Sequence, residues 1–350
     1  MAGDKAIRVE AGSMIQEGTL VSLEDIRITA DELTLNQAVT ANQDVHLTVS
    51  GDLALNHELS AGGDAYVSAG GQLVNTGKLV AQGHTDVSAG GALTNLAAGL
   101  ISGQTTALNA HVLNNQGTIQ ALSNLMATLS QFINQGATLG MQDTTLNVTG
   151  NVSNTGLLYA GQTGAFYVKG ELVNTEGDIL TGGKMFIAAD DSGALSKSVQ
   201  NVSGVIQSGD DLDLKAEHIV NKRKVLEIEK SSGEGVQLDP HYNQAEFSVP
   251  RGSEFAPTYY WKESKGSSGA NGNSNIRYTL VVTGGTHLDF VTKNEVVTLK
   301  TASASAQMLA GKNLTVLGKN LENNASLISA ANNSYFTLDS LENTGYALGG

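Results

Sequence analysis

One residue type recurs with a period that few folds accommodate. Asn75, Asn95, Asn115, Asn134, Asn154 and Asn174 follow one another at intervals of 20, 20, 19, 20 and 20 residues. Asn201 and Asn221 are again 20 apart after a longer gap, as are Asn323 and Asn343 near the end. The residue two places before each Asn is apolar: Leu73, Leu93, Leu113, Phe132, Val152, Leu172, Val199, Ile219, Leu321 and Leu341. A Gly follows two or three places later at Gly77, Gly117, Gly136, Gly156, Gly177, Gly204 and Gly345. Short alternating segments such as Val45-Leu47-Val49, Leu146-Val148 and Leu212-Leu214 fill the rest of the period.

Alternation over three to five residues describes a strand with one buried face. Gly and Asn between such strands are expected to make turns, because both tolerate positive φ. Strands this short cannot enclose a core alone, but a chain coiled so that each turn stacks on the last buries its inward side chains as columns. Parallel pairing then gives a rise of about 4.8 Å per coil, and an Asn at one position per coil can stack into an amide ladder. Other repeat folds fit less well. Leucine-rich repeats set Asn three places after the last strand Leu, where here it is two, and a propeller blade needs about 40 residues.

Composition agrees. Charged residues are 15 % and aromatics 5 % of the 350 residues, with 41 Gly and only 3 Pro. A net charge of −14 argues against a phosphate-backbone partner, and so against nucleic acid. Without Cys, disulfides and Cys-based metal sites are excluded. No run of about 18 apolar residues is present, so no membrane insertion is expected. Met1-Ala2-Gly3-Asp4 opens no signal-peptide h-region, and the chain is read as a piece of something longer.

The period breaks after Asn221. Val225-Leu226-Glu227-Ile228-Glu229 reads as one arm of a projecting hairpin. All three prolines (Pro240, Pro250, Pro257) follow, with Tyr242, Phe247, Phe255, Tyr259, Tyr260 and Trp261, the sole Trp. Residues 265–275 form a Gly/Ser/Asn tract of flexible composition, Ile276–Thr283 returns as a strand, and the period resumes near Gly285–Leu288. The expected organisation is therefore filament repeats over 1–221, an excursion over 222–284, and resumed coils over 285–350. Aromatics on a polar scaffold are typical interface anchors, and loops on rigid scaffolds carry function. Those six aromatics are the candidate receptor-binding residues; packing of a small subdomain is the alternative role.

Gly-x-Leu-x-Asn-x-Gly-x-Leu-x-Ala, as in residues 71–81, resembles the repeat of filamentous haemagglutinin-type two-partner-secreted exoproteins. The stretch from Ser203 to Leu214, followed by Ile219-Val220-Asn221-Lys222-Arg223-Lys224, is similar to the same family, which includes CdiA-type effectors of contact-dependent growth inhibition. The resemblance implies an all-β, right-handed parallel β-helix secreted across an outer membrane through a dedicated pore partner. It further implies a cell-surface filament that binds an outer-membrane protein or lipopolysaccharide on a neighbouring bacterium and delivers a toxin carried elsewhere in the full-length protein.

Catalysis finds little footing. β-Helices also host polysaccharide lyases, which need convergent carboxylates. Asp190-Asp191 and Asp210-Asp211 lie 20 apart but at different distances from their ladder Asn, so they need not align. No H-E-x-x-H and no phosphate loop is present among the 7 His and the Gly-rich turns. The chain is read as a binding filament segment, not an enzyme, with no cofactor and no metal. A passive spacer or adhesin stalk is the first alternative, and a glycan-active β-helix enzyme the second.

Overall fold

A computed structural model describes residues 2–3, 5–233, 259–265, 276–282 and 294–345. Among them there is no helix. The chain divides into two compact units. One comprises Met1–Leu226 and Thr301–Tyr346, and the other is built on Glu227–Lys300.

The first unit is a parallel β-solenoid. Each coil contributes one short strand to a thirteen-stranded sheet that runs from Ala2–Gly3 to Leu327–Ala330. The rest of each coil belongs to a second, larger sheet that turns a corner. In some coils this path is one long strand, such as His84–Asn95 or Leu212–Lys222. In others it is broken in two, such as Val45–Val49 and Leu53–Leu55. Every pairing given for these coils is parallel, and repeat-equivalent residues meet: Leu73 faces Leu93 and Asn75 faces Asn95.

That register converts the sequence period into columns. Leu33, Leu53, Leu73, Leu93, Leu113, Phe132, Val152, Leu172, Val199, Ile219 and Leu321 stack one above another. All are buried. Each such side chain withdrawn from water contributes about 1.5–3 kcal/mol toward the conformational entropy that its coil loses on ordering. Volumes compensate between neighbouring columns. A Cβ on Gly164 would come within 2.9 Å of the ring of Phe166, which is fully buried, so the missing side chain makes the room that the ring fills.

The glycines do a different job from the one expected. Among the described residues, positive φ occurs at one Gly, Gly193, and at Glu176, Ser203 and Ala325. The repeat glycines permit close approach instead. A Cβ on Gly136 would stand 2.0 Å from the carbonyl oxygen of Gly117, and one on Gly156 would stand 2.0 Å from that of Gly136. Hydrogen-bonded coils at a parallel-sheet spacing leave no space for a methyl group at this corner.

Candidate receptor-binding insertion

The Asn column defines where the stack is continuous. Each Nδ2 donates to the Oδ1 of the next Asn, from Asn75 through Asn95, Asn115, Asn134, Asn154, Asn174, Asn201 and Asn221 to Asn323 and Asn343, at 2.7–3.0 Å. The second N–H reaches main-chain oxygens at the corner: Asn174 donates to Gly177 at 2.8 Å, and Asn201 to Gly204 at 2.9 Å. Buried amides are thus satisfied along the column, as burial of polar groups demands. The ladder begins at Asn75 because the preceding coil places Leu55 in register there. The Oδ1 of Asn75 accordingly has no partner among the described residues.

Asn221 and Asn323 are adjacent rungs although 102 residues separate them, against 20 for Asn201 to Asn221. The neighbouring strands agree: Leu212 pairs with Leu314, and Val205 with Gln307. About 82 residues are therefore surplus to one coil. They leave the stack after the strand Leu212–Lys222, and the stacked strands start again with Gln307–Ala310.

The point of departure is heavily bonded. Ser203 Oγ and Ser303 Oγ share a hydrogen bond of 2.7 Å, and the Lys224 amide donates to Ser203 Oγ at 2.8 Å. Arg223 donates to the carbonyl oxygens of Ala325 and Ser303. Ion pairs join Lys312 to Asp210 and Lys319 to Glu217 across the seam. Asp211 accepts from the main chain and side chain of Asn313 at 3.2 and 3.0 Å. These bonds, with a contribution from Lys184, hold its carboxyl below the usual carboxylate range.

The strand Leu226–Gly233 pairs with Asn294–Ala302, and most of both strands belongs to the second unit. Lys300 stands 3.9 Å from Glu229. A separate antiparallel pair joins Tyr259–Lys265 to Ile276–Val282, with Tyr259 opposite Val282 and Trp261 opposite Leu280. Of the six candidate residues, Tyr259, Tyr260 and Trp261 thus share one strand. Tyr242, Phe247 and Phe255 lie outside the described residues, as do the three prolines, the tract from 266 to 275 and the expected return at 285–288.

The acidic pairs weighed for catalysis are engaged separately. Asp190 closes a turn, accepting from Ser192 Oγ at 2.6 Å and from the Ala194 amide at 3.2 Å. The Asp210 amide donates to the carbonyl of Gly183, not of Asp190, and the Asp210 carboxylate pairs with Lys312. Among the described residues no group of three or more His, Asp or Glu is arranged to hold a metal ion. Sequence reasoning passed over a second ladder, in which side-chain oxygens of one coil accept amides of the next. Asp44 Oδ1 receives the Asp64 amide at 2.8 Å, Asp64 Oδ1 the His84 amide at 2.7 Å, and Asp143 Oδ1 the Thr163 amide at 3.0 Å. Asp25, Asp44 and Asp64 at intervals of 19 and 20 were the available signal.

A parallel solenoid of some twenty residues per coil, locked by a buried amide ladder, is a structural, stalk-type fold. A sequence profile of the haemagglutinin repeat matches residues 2–57, 60–176 and 168–238, and the chain belongs to that family. Its curated relatives are CdiA proteins. It is 28 % identical over 245 residues to the toxin CdiA of Escherichia coli, covering 68 % of this chain and 7 % of that protein. It is 27 % identical over 232 residues to the 16S rRNA endonuclease CdiA of Enterobacter cloacae, covering 61 % of this chain and 7 % of that protein. It is 28 % identical over 184 residues to the tRNA nuclease CdiA of Yersinia mollaretii, covering 51 % and 6 %. The chain thus spans less than a tenth of the length of these relatives. No solved structure matches it.

Proposed function

We propose that the chain is the receptor-binding part of a secreted cell-surface filament, with the solenoid as stalk and the excursion at 222–284 as the contact element. Its partner is an outer-membrane protein or lipopolysaccharide on a neighbouring bacterium, and the toxin it delivers is carried elsewhere in the full-length protein. Export runs through an outer-membrane pore partner, as in two-partner secretion. The carrying observation is the unbroken rung between Asn221 and Asn323. The ladder closes over some 82 surplus residues without losing a rung, and loops held on rigid scaffolds are where recognition concentrates. The aromatic set Tyr242, Phe247, Phe255, Tyr259, Tyr260 and Trp261 supplies the residue types that anchor interfaces.

The test is alanine replacement of all six aromatics in the intact chain, followed by binding to whole Gram-negative cells. Loss of binding with retained β-rich circular dichroism is expected. Undiminished binding would overturn the assignment. The competing reading, a passive stalk, draws on the regularity of the coils and the haemagglutinin-repeat match, and it predicts no binding by either form.

A further inference from the structure

Within the solenoid unit, the outward face of the early coils carries a ladder of flat side chains. Arg27, His46, Tyr66 and Asp86 occupy successive rungs of one outward column. The His46 and Tyr66 rings stack with centroids 4.9 Å apart and planes 16° apart. On the far side of Tyr66 the next rung is Asp86, which is too short to continue the stack. The nearest ring there, His84, is 6.2 Å away and tilted by 58°. Tyr66 remains 36 % exposed. One outward position along, Thr48, Ser68 and Ser88 form a parallel row of hydroxyls. Of these, His46, Thr48, Tyr66, Ser68, Asp86 and Ser88 line a cleft of about 130 Å³.

From this geometry we infer a saccharide-binding subsite, in which one sugar ring lies on the free face of Tyr66 as the next rung of the ladder. The C–H face of a pyranose suits an aromatic face, and its hydroxyls suit the Asp86 carboxylate and the Ser68 and Ser88 hydroxyls beside it. The volume is well below the roughly 300–1,000 Å³ of drug-sized pockets, which fits one ring and not an oligosaccharide. The phenol is fixed by donating to Asp64 Oδ2 at 3.1 Å. That bond and the surrounding carboxylates hold it above the ordinary tyrosine range, so the face offered is that of a neutral phenol. The subsite is independent of the proposed receptor element, from which it is separated by more than a hundred residues of sequence.

Saturation-transfer NMR on the intact 350-residue chain tests this, with D-glucose, D-galactose and N-acetyl-D-glucosamine as probes and argininamide as a cationic competitor class. At least one sugar is expected to receive saturation at its ring protons. The signal should fall by at least about tenfold in Tyr66→Ala and in Asp86→Ala. It should persist in Tyr66→Phe, which keeps the face, and in Thr145→Ala, at a position on the same outward column three coils beyond Asp86. Transfer to argininamide alone, transfer to no sugar, or sugar signals that survive Tyr66→Ala would overturn the inference. Far-UV circular dichroism of each variant separates loss of the subsite from loss of the fold.

Discussion

The side chain of Asn221 donates to Oδ1 of Asn323 at 2.8 Å, across 102 residues of sequence and within a single step of the stack. Both are buried, Asn221 completely. Replacing Asn221 by Ala leaves the buried Asn323 acceptor without its donor, while Asn201 keeps its bonds to the Gly204 and Gln307 carbonyls. A buried polar group left unsatisfied costs about 1–3 kcal/mol. Asn221→Ala is therefore expected to lower the unfolding free energy by about 1–3 kcal/mol, measured by urea titration of the β-sheet signal. An exposed Asn offers the control: Asn56 donates to Asn36 at 2.8 Å on the solvent side, and Asn56→Ala should cost under about 1 kcal/mol.

Gly136→Ala tests the close-approach role of the repeat glycines. Its methyl group would meet the Gly117 carbonyl at 2.0 Å, so two coils must separate. A loss of about 1–3 kcal/mol or more is expected in the same titration. An unchanged midpoint would mean that the corner yields more easily than a hydrogen-bonded sheet should.

The reverse substitution applies at Ala325, where φ is +46°. An L-residue pays roughly 1–2 kcal/mol in the left-handed region, which Gly does not. Ala325→Gly should raise stability by about 1 kcal/mol, read as a higher urea midpoint. The carbonyl that accepts from Arg223 is main-chain and survives the change.

The seam responds to pH. The Asp211 carboxyl is depressed by its bonds from Asn313, and Glu217 by its bond from Lys319. A group whose folded pKa is lowered contributes stability above its unfolded pKa and loses it as pH falls through the folded value. Lys312 is raised by Asp210, so its contribution is full below its unfolded pKa and is lost as pH climbs through the folded one. Stability of the seam should hold through neutral pH and decline in acid, below the ordinary carboxylate range, and again in strong alkali. Asp211→Asn keeps an acceptor for the Asn313 amide but removes the titration. It should flatten the acid limb measured by thermal unfolding at stepped pH.

Much of this architecture is legible in the sequence because the period and the core coincide. Asn at intervals of 20 with an apolar residue two before it states both the coil length and the inward face, and the ladder follows from it. The roles of the glycines were not legible. A Gly that allows positive φ and a Gly that admits a neighbouring carbonyl look the same in one dimension, and the left-handed residues turned out to be Glu176, Ser203 and Ala325. The Asn36–Asn56 ladder also escaped notice. It lies one residue out of phase with the buried one, and a one-residue shift moves a side chain to the opposite face. The seam bonds of Arg223, Ser203 and Ser303 join residues about a hundred positions apart in part, and no local pattern announces them. In the insertion, composition flagged aromatic residues, but an aperiodic segment offers no register by which to arrange them.

The most direct test of the account compares the intact chain with a variant in which residues 226–300 are replaced by a short Gly-Ser loop. Both are labelled and offered to whole Gram-negative cells, after circular dichroism and urea unfolding establish that the coils on either side remain stacked. The account predicts that the shortened chain unfolds at or above the midpoint of the intact one, since Asn221 and Asn323 are then joined by a shorter loop, and that it no longer binds cells bound by the intact chain. Equal binding by both forms, or collapse of the stack when the insertion is removed, would contradict it.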